Sequence, residues 1–201
     1  MQVRRRSHAI RATPPISALE RPASYEEFAL HILFVCTGNI CRSPTAERLA
    51  IAYGARSHLQ DFTASSAGTR AVTWQPIQAN AARVLEELGG DVSHFAARQL
   101  TSTMAAEADL VLTMTRAHRN HVLKLAPQQL HKTFTLREAA RLVSECNARN
   151  VADLAVFRAR LPAGELSDIP DPIAHDEAFF AMVGAQIADL LPPILELCRR
   201  G

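Results

Sequence analysis

Apolar residues fall along the chain in short runs that alternate with amphipathic stretches. His31-Ile32-Leu33-Phe34-Val35 is too short for a helix and stops at a glycine-containing loop, as a buried strand does. Ser43-Pro44 then opens a helical pattern lasting to about Gly54, with Pro44 where a first turn tolerates it. Phe62 to Ala67 reads as a second strand, and a helix follows from Pro76 to Gly89-Gly90. Leu110-Val111-Leu112 is a third strand, Thr115 to Leu125 a helix, and Thr133-Phe134 a weak fourth strand. Thr135 with Glu138 three residues later fits a capping box, predicting a helix to about Asn147. A further helix spans Val151 to Leu161. After a Pro/Asp loop at 167–172, a last helix starts near Asp176, with Phe180, Val183, Ile187, Leu190 and Ile194 on one face. Pro192-Pro193 should kink or interrupt it.

Strands alternating with helices predict an α/β fold: a parallel sheet of four strands with helices on both faces, in a single domain over 28–201. Residues 1–27 read as a basic extension expected to be disordered, with a short capped turn at Ser24-Tyr25-Glu26-Glu27 near the onset of order. In such folds the site lies at the carboxyl ends of the strands. The loop after the first strand is where chemistry is expected.

Composition changes this picture little. With 48% hydrophobic and 21% charged residues, the chain is an ordinary globular protein. The formal net charge is +2, and residues 1–28, with five Arg and three Glu, account for it. A neutral body argues against nucleic-acid binding as the main task. No run in the sequence reaches the roughly 18–20 apolar residues of a membrane span, and the Arg4–Arg6 cluster lacks the apolar stretch of an export signal. A cytoplasmic location is expected. The four cysteines, Cys36, Cys41, Cys146 and Cys198, then read as thiols.

Residues 36–44 are Cys-Thr-Gly-Asn-Ile-Cys-Arg-Ser-Pro. A loop from a strand into a helix N-terminus turns backbone N–H groups inward and makes an anion site. Gly38 permits backbone shapes that other residues resist. Arg42 offers a planar fork for two phosphoryl oxygens. Cys36 sits at the start of the loop in the same positive field, which should stabilise its thiolate. A thiolate beside a bound phosphate is a nucleophile aimed at phosphorus.

Phe34 to Pro44 closely resembles the phosphate loop of the low-molecular-weight protein tyrosine phosphatases. Ser66-Ala67-Gly68-Thr69, Ala97-Arg98-Gln99-Leu100, Asp109 to Met114 and Asp171-Pro172 resemble further landmarks of that family, so the likeness spans about residues 30–198. It implies a four-stranded parallel sheet and metal-free, cofactor-free hydrolysis through a cysteinyl-phosphate. Cys36 would be the nucleophile, Arg42 would bind the phosphoryl group, and Asp171 would act as general acid and base, with Asp168 and Asp176 as rival carboxylates. Thr37, Gly38, Asn39, Ile40, Cys41 and Ser43 would form the substrate loop, with Asn39 holding its shape and Ser43 hydrogen-bonding the sulfur. The implied partner is a phosphotyrosine-containing protein, a tyrosine kinase among the candidates. Cys41 would form a reversible disulfide with Cys36 under oxidants.

The chain departs from the family pattern in two places. Ile173 stands where many members have an aromatic residue after Asp-Pro, and Trp74 is either a replacement wall or a packing residue under a loop. Phe95 stands where many members have His, and neighbouring His94 reads as a surface or supporting histidine. Three other functions are compatible with such a loop. A thiol-dependent arsenate reductase would need relay cysteines, and residues 42–145 contain none. Phosphoarginine phosphatases resemble this loop but carry Thr where Ile40 stands. A protein that binds phosphorylated partners without turnover would have no use for the full set Cys36, Arg42, Ser43 and Asp171.

Overall fold

In a computed structural model, which describes residues 30–59, 62–161 and 167–199, four strands form one parallel sheet. They are β1 (Leu30–Cys36), β2 (Phe62–Gly68), β3 (Leu110–Thr113) and β4 (Thr133–Thr135), in the order β2-β1-β3-β4. The extension and the turn expected at Ser24 lie outside the described residues.

Strand β1 shows why the sheet is covered on both faces. Ile32, Leu33, Phe34 and Val35 are all fully buried, and alternate residues point to opposite sides. Ile32, Phe34 and Cys36 enter the larger core, with Leu110, Leu112 and Phe134. Leu33 and Val35 enter a smaller one, with Ala67, Val111 and Val122. The larger core is roofed by α1 (Arg42–Arg56), α2 (Ala79–Glu87), α5 (Leu136–Cys146), α6 (Val151–Phe157) and α7 (Glu177–Leu195). The smaller one is covered by α3 (Ser102–Glu107) and α4 (Arg116–Leu125).

Most differences from the sequence pattern have local causes. Helix α2 begins at Ala79 because the Gln78 side chain accepts from the amides of Asn80 and Ala81 and caps it there. The six-residue α3, capped by Thr101, is too short to show a period. The Thr135–Glu138 capping box forms in full. Helix α6 stops at Phe157, and a 3-10 turn continues to Arg160. Helix α7 runs through Pro192 and Pro193 to Leu195. The prolines withhold only the two N–H groups that would meet the Ala188 and Asp189 carbonyls, within the last turn and a half. Leu191, rather than Leu190, completes its buried face.

Helix α7 is also long and apolar enough to cross a membrane, contrary to the expectation that no segment qualifies. Its apolar face packs on α1, α2 and α5. Gly184 allows the close approach to α2, since a Cβ there would collide with Val84. Cys146 and Cys198 are half-buried thiols.

The strand order turns outward in both directions from β1, so its carboxyl end opens at the crevice where ligands bind such sheets. Residues 36–42 occupy that position.

Candidate active site

The loop is shaped from outside. The carbonyls of Cys36, Thr37, Gly38 and Ile40 accept from the amides of Thr69, Arg70, Val72 and Gln78 at 2.8–2.9 Å, and Thr45 N donates to the Cys41 carbonyl at 3.1 Å. In a trans peptide the following N–H points opposite to the carbonyl. Five outward carbonyls therefore turn the amides of residues 37, 38, 39, 41 and 42 into the loop. The Asn39 amide shows the result, donating to Cys36 Sγ at 3.3 Å. The N-terminus of α1 adds its positive end, with no acidic residue in its first turn.

This closeness requires Gly68. It pairs with Cys36 across the sheet, and a Cβ there would lie 2.5 Å from the Thr37 carbonyl oxygen. Asn39 takes the left-handed turn at φ 56°, which Asn tolerates better than most residues.

Beneath the loop a chain of hydrogen bonds reaches the sulfur. Ser66 Oγ donates to Glu47 Oε2 at 2.5 Å. Asn39 Nδ2 donates to Ser66 Oγ at 2.8 Å and to Ser43 Oγ at 3.0 Å, while Asn39 Oδ1 accepts from the Arg98 amide at 2.9 Å. Ser43 Oγ lies 2.9 Å from Cys36 Sγ. With its oxygen accepting from Asn39, the Ser43 hydroxyl has two acceptors for its proton, the Ala67 carbonyl at 3.5 Å and Cys36 Sγ at 2.9 Å, and the shorter contact favours a thiolate. Burial raises the Glu47 carboxyl above its ordinary range, against the pull of the Ser66 hydroxyl, Arg48 and Arg98.

Arg42 is 4% exposed. Its Nη1 donates to the Ile169 carbonyl at 3.1 Å, and its Nη2 to Asp171 Oδ2 at 2.5 Å. Its Nε is buried without a partner, a donor that a bound oxyanion would satisfy. Cys36, Thr37, Gly38, Ile40, Cys41, Arg42 and Asp171 line one pocket of about 280 Å³, together with Arg70, Val72 and Ile173. The Cys41 thiol is pushed up to about 12, by burial first and then by the charges of Cys36 and Asp171. It stays protonated where Cys36 would work.

Asn39 and Ser43, expected among the residues that touch substrate, lie fully buried under the loop. They hold it and the sulfur, and do not line the pocket. Asp168 accepts from the Arg116 amide, and Asp176 caps α7, so neither rival carboxylate is in the pocket. His94 is exposed and does not line the pocket. Trp74 meets neither expectation. It is 85% exposed, does not line the pocket and packs under nothing. The apolar wall comes instead from Ile40, Val72 and Ile173. Arg70, Val72, Glu47 and His118 carried no sequence signal: Arg70, Val72 and His118 meet the loop from other parts of the fold, and Glu47, on α1, reaches it only through Ser66.

The comparisons with known proteins agree with this geometry. The family model for low molecular weight phosphotyrosine protein phosphatase matches residues 31–153. A low molecular weight protein-tyrosine-phosphatase of Acinetobacter johnsonii, Ptp, is 31% identical over 150 residues, covering 75% of this chain and 84% of its own. The chain belongs to this family. Etp of Escherichia coli K12 is 41% identical over 103 residues, 51% of this chain and 66% of its own. Among solved structures, the family member from T. tengcongensis superposes with TM-score 0.67 at 28% identity, covering 83% of this chain and 98% of its own. The YwlE arginine phosphatase of Geobacillus stearothermophilus gives 0.65 at 29% identity, covering 83% and 91%. The family match ends before Asp171, whose place beside Arg42 is a feature of the structure.

Proposed function

We propose that the protein hydrolyses phosphotyrosine in protein substrates, with Cys36 as nucleophile, Arg42 as phosphoryl clamp and Asp171 as general acid and base. One observation carries this reading: these three side chains line a single pocket at the carboxyl end of β1. The inward amides and Arg42 Nε supply donors for the three phosphoryl oxygens. Cys36 Sγ, hydrogen-bonded by Ser43 and the Asn39 amide, attacks phosphorus. The S–P bond forms as the bond to the ester oxygen breaks, and Asp171 gives that oxygen its proton. A water then attacks the cysteinyl-phosphate, Asp171 takes its proton, and inorganic phosphate leaves with the thiolate restored.

The substrate is a phosphoprotein, and phosphorylated tyrosine kinases fall within that class. The apolar side chains of Ile40, Val72 and Ile173 in the pocket lining favour a flat aryl group over a guanidinium. Among the described residues no cluster of His, Cys, Asp and Glu is suited to a metal ion.

The test is phosphate release from a phosphotyrosine peptide by the full-length chain and by Cys36→Ser, with a phosphoarginine substrate alongside. Turnover of phosphotyrosine that Cys36→Ser abolishes, with thermal stability kept, is the expected result. Turnover of phosphoarginine alone would overturn the substrate assignment, and silence on both would overturn the enzymatic one.

A further inference from the structure

One buried histidine is left unused by this mechanism. His118, near the start of α4, is 7% exposed, and its Nε2 lies 2.8 Å from Thr37 Oγ1. Thr37 follows the nucleophile and lines the pocket. The same hydroxyl oxygen is 3.5 Å from Arg42 Nη2, which donates to it. His118 Nδ1 is buried and has no partner.

These contacts select a tautomer. A proton on Nδ1 would bury an N–H with no acceptor, whereas a proton on Nε2 leaves only a bare lone pair there. Orphaned buried N–H groups are the rarer defect. With the proton on Nε2, Thr37 Oγ1 accepts from His118 and from Arg42. Both lone pairs are then used, and the hydroxyl proton is the group left for the pocket. The opposite tautomer would draw the Thr37 proton onto His118 and turn a lone pair toward an incoming anion.

We propose that His118 is a positioning residue that fixes the Thr37 hydroxyl as a donor to the bound phosphoryl group. The inference rests on the phosphatase reading of the pocket and deepens it. A neutral ring suits this role. Burial first, and then the Arg42 charge, hold His118 down to about 4, against the pull of Asp171 and Asp168 and with a small contribution from His121. A second cation against Arg42 is thereby avoided. The residue acts on the substrate only through Thr37, so it is not itself catalytic.

The test uses the full-length chain and inorganic phosphate, titrated by calorimetry, with kcat and KM on a phosphotyrosine peptide and thermal midpoints for every variant. His118→Leu and Thr37→Val should each weaken phosphate about tenfold, the scale of one hydrogen bond to a charged group. The double variant should lose no more than either single one. His118→Gln, which keeps a side-chain N–H, and Thr37→Ser, which keeps the hydroxyl, should recover most of the loss. Phosphate affinity unchanged in His118→Leu, with only the thermal midpoint lowered, would overturn the proposal. Losses that add in the double variant would overturn it too. The titration needs no turnover, so an inactive wild type would count against the enzymatic reading without touching this comparison.

Discussion

Arg42 Nη2 stands 2.5 Å from Asp171 Oδ2, and the two side chains differ in exposure, at 4% and 45%. Arg42 and Asp171, the proposed phosphoryl clamp and general acid, hold one another. An arriving phosphoryl dianion competes with the carboxylate for the same guanidinium and repels it. A proton on Asp171 removes that repulsion, and it is the proton the leaving oxygen needs. The buried partner stays fixed by Ile169 while the exposed one is able to move.

Replacing Asp171 by Asn separates these two roles. The variant keeps the shape but has no proton to give or take, so kcat should fall by roughly 10²–10⁴, the range of general acid–base catalysis. Affinity for inorganic phosphate should hold or tighten, because the competing carboxylate is gone. An activated aryl phosphate, whose leaving oxygen needs little protonation, should lose less. Unchanged kcat on a phosphotyrosine peptide would remove Asp171 from the mechanism.

Asn39 joins the loop to everything beneath it. Asn39→Ala removes donors to Ser43 and Ser66 and the acceptor for the Arg98 amide, and leaves alanine at φ 56°. Orphaning those buried groups should cost about 2–4 kcal/mol of stability in chemical denaturation. Turnover should fall as well, since Ser43 is no longer oriented toward Cys36. A variant as stable as wild type would show that the outward carbonyl bonds hold the loop without Asn39.

The sheet and the phosphate loop were legible because both are local in sequence. The strands announce themselves as short apolar runs, and Cys36 to Pro44 carries its chemistry in nine consecutive residues. Of what supports the loop, the parts of Asn39 and Ser43 came with the family resemblance and the structure shows both contacts, but the rest was not legible. Glu47 reaches Cys36 only through Ser66, Asn39 and Ser43. His118 meets Thr37 across 81 positions. Such contacts exist only once β1, β2 and β3 are aligned, and no spacing along the chain encodes them. The proline pair in α7 does not interrupt the helix for a related reason: the helix is held by its packed face, so two missing donors near its end do not break it.

Trp74 can be tested directly, being the sole tryptophan. Its backbone is left-handed at φ 68°, uncommon for a bulky residue, and the Trp74 amide donates to the Ala97 carbonyl at 2.8 Å. Its fluorescence should be that of a solvated indole and fully open to acrylamide quenching. Trp74→Gly relieves the left-handed strain but adds freedom to the unfolded chain, so stability should move by no more than about 1 kcal/mol. Turnover of a small aryl phosphate should not change, because the indole does not line the pocket. Protected, blue-shifted emission, or lost turnover, would mean that the indole packs over the site after all.

The sign of the acid response of His118 follows from its burial. Its folded value is about 4, against 6.5 for an ordinary histidine. Between those values the unfolded chain takes up a proton that the folded one refuses, so stability rises with pH across this window. The contribution is fully present above pH 6.5 and is lost as pH falls to about 4, with a ceiling of about 3 kcal/mol. His118→Gln has no group to titrate there. From denaturant midpoints at pH 7, 5.5 and 4, wild type should lose more stability than the variant, and most of the difference should appear below pH 6.5. Parallel curves would mean that His118 takes up its proton as readily in the folded protein as in the unfolded one, and the neutral ring facing Thr37 would lose its support.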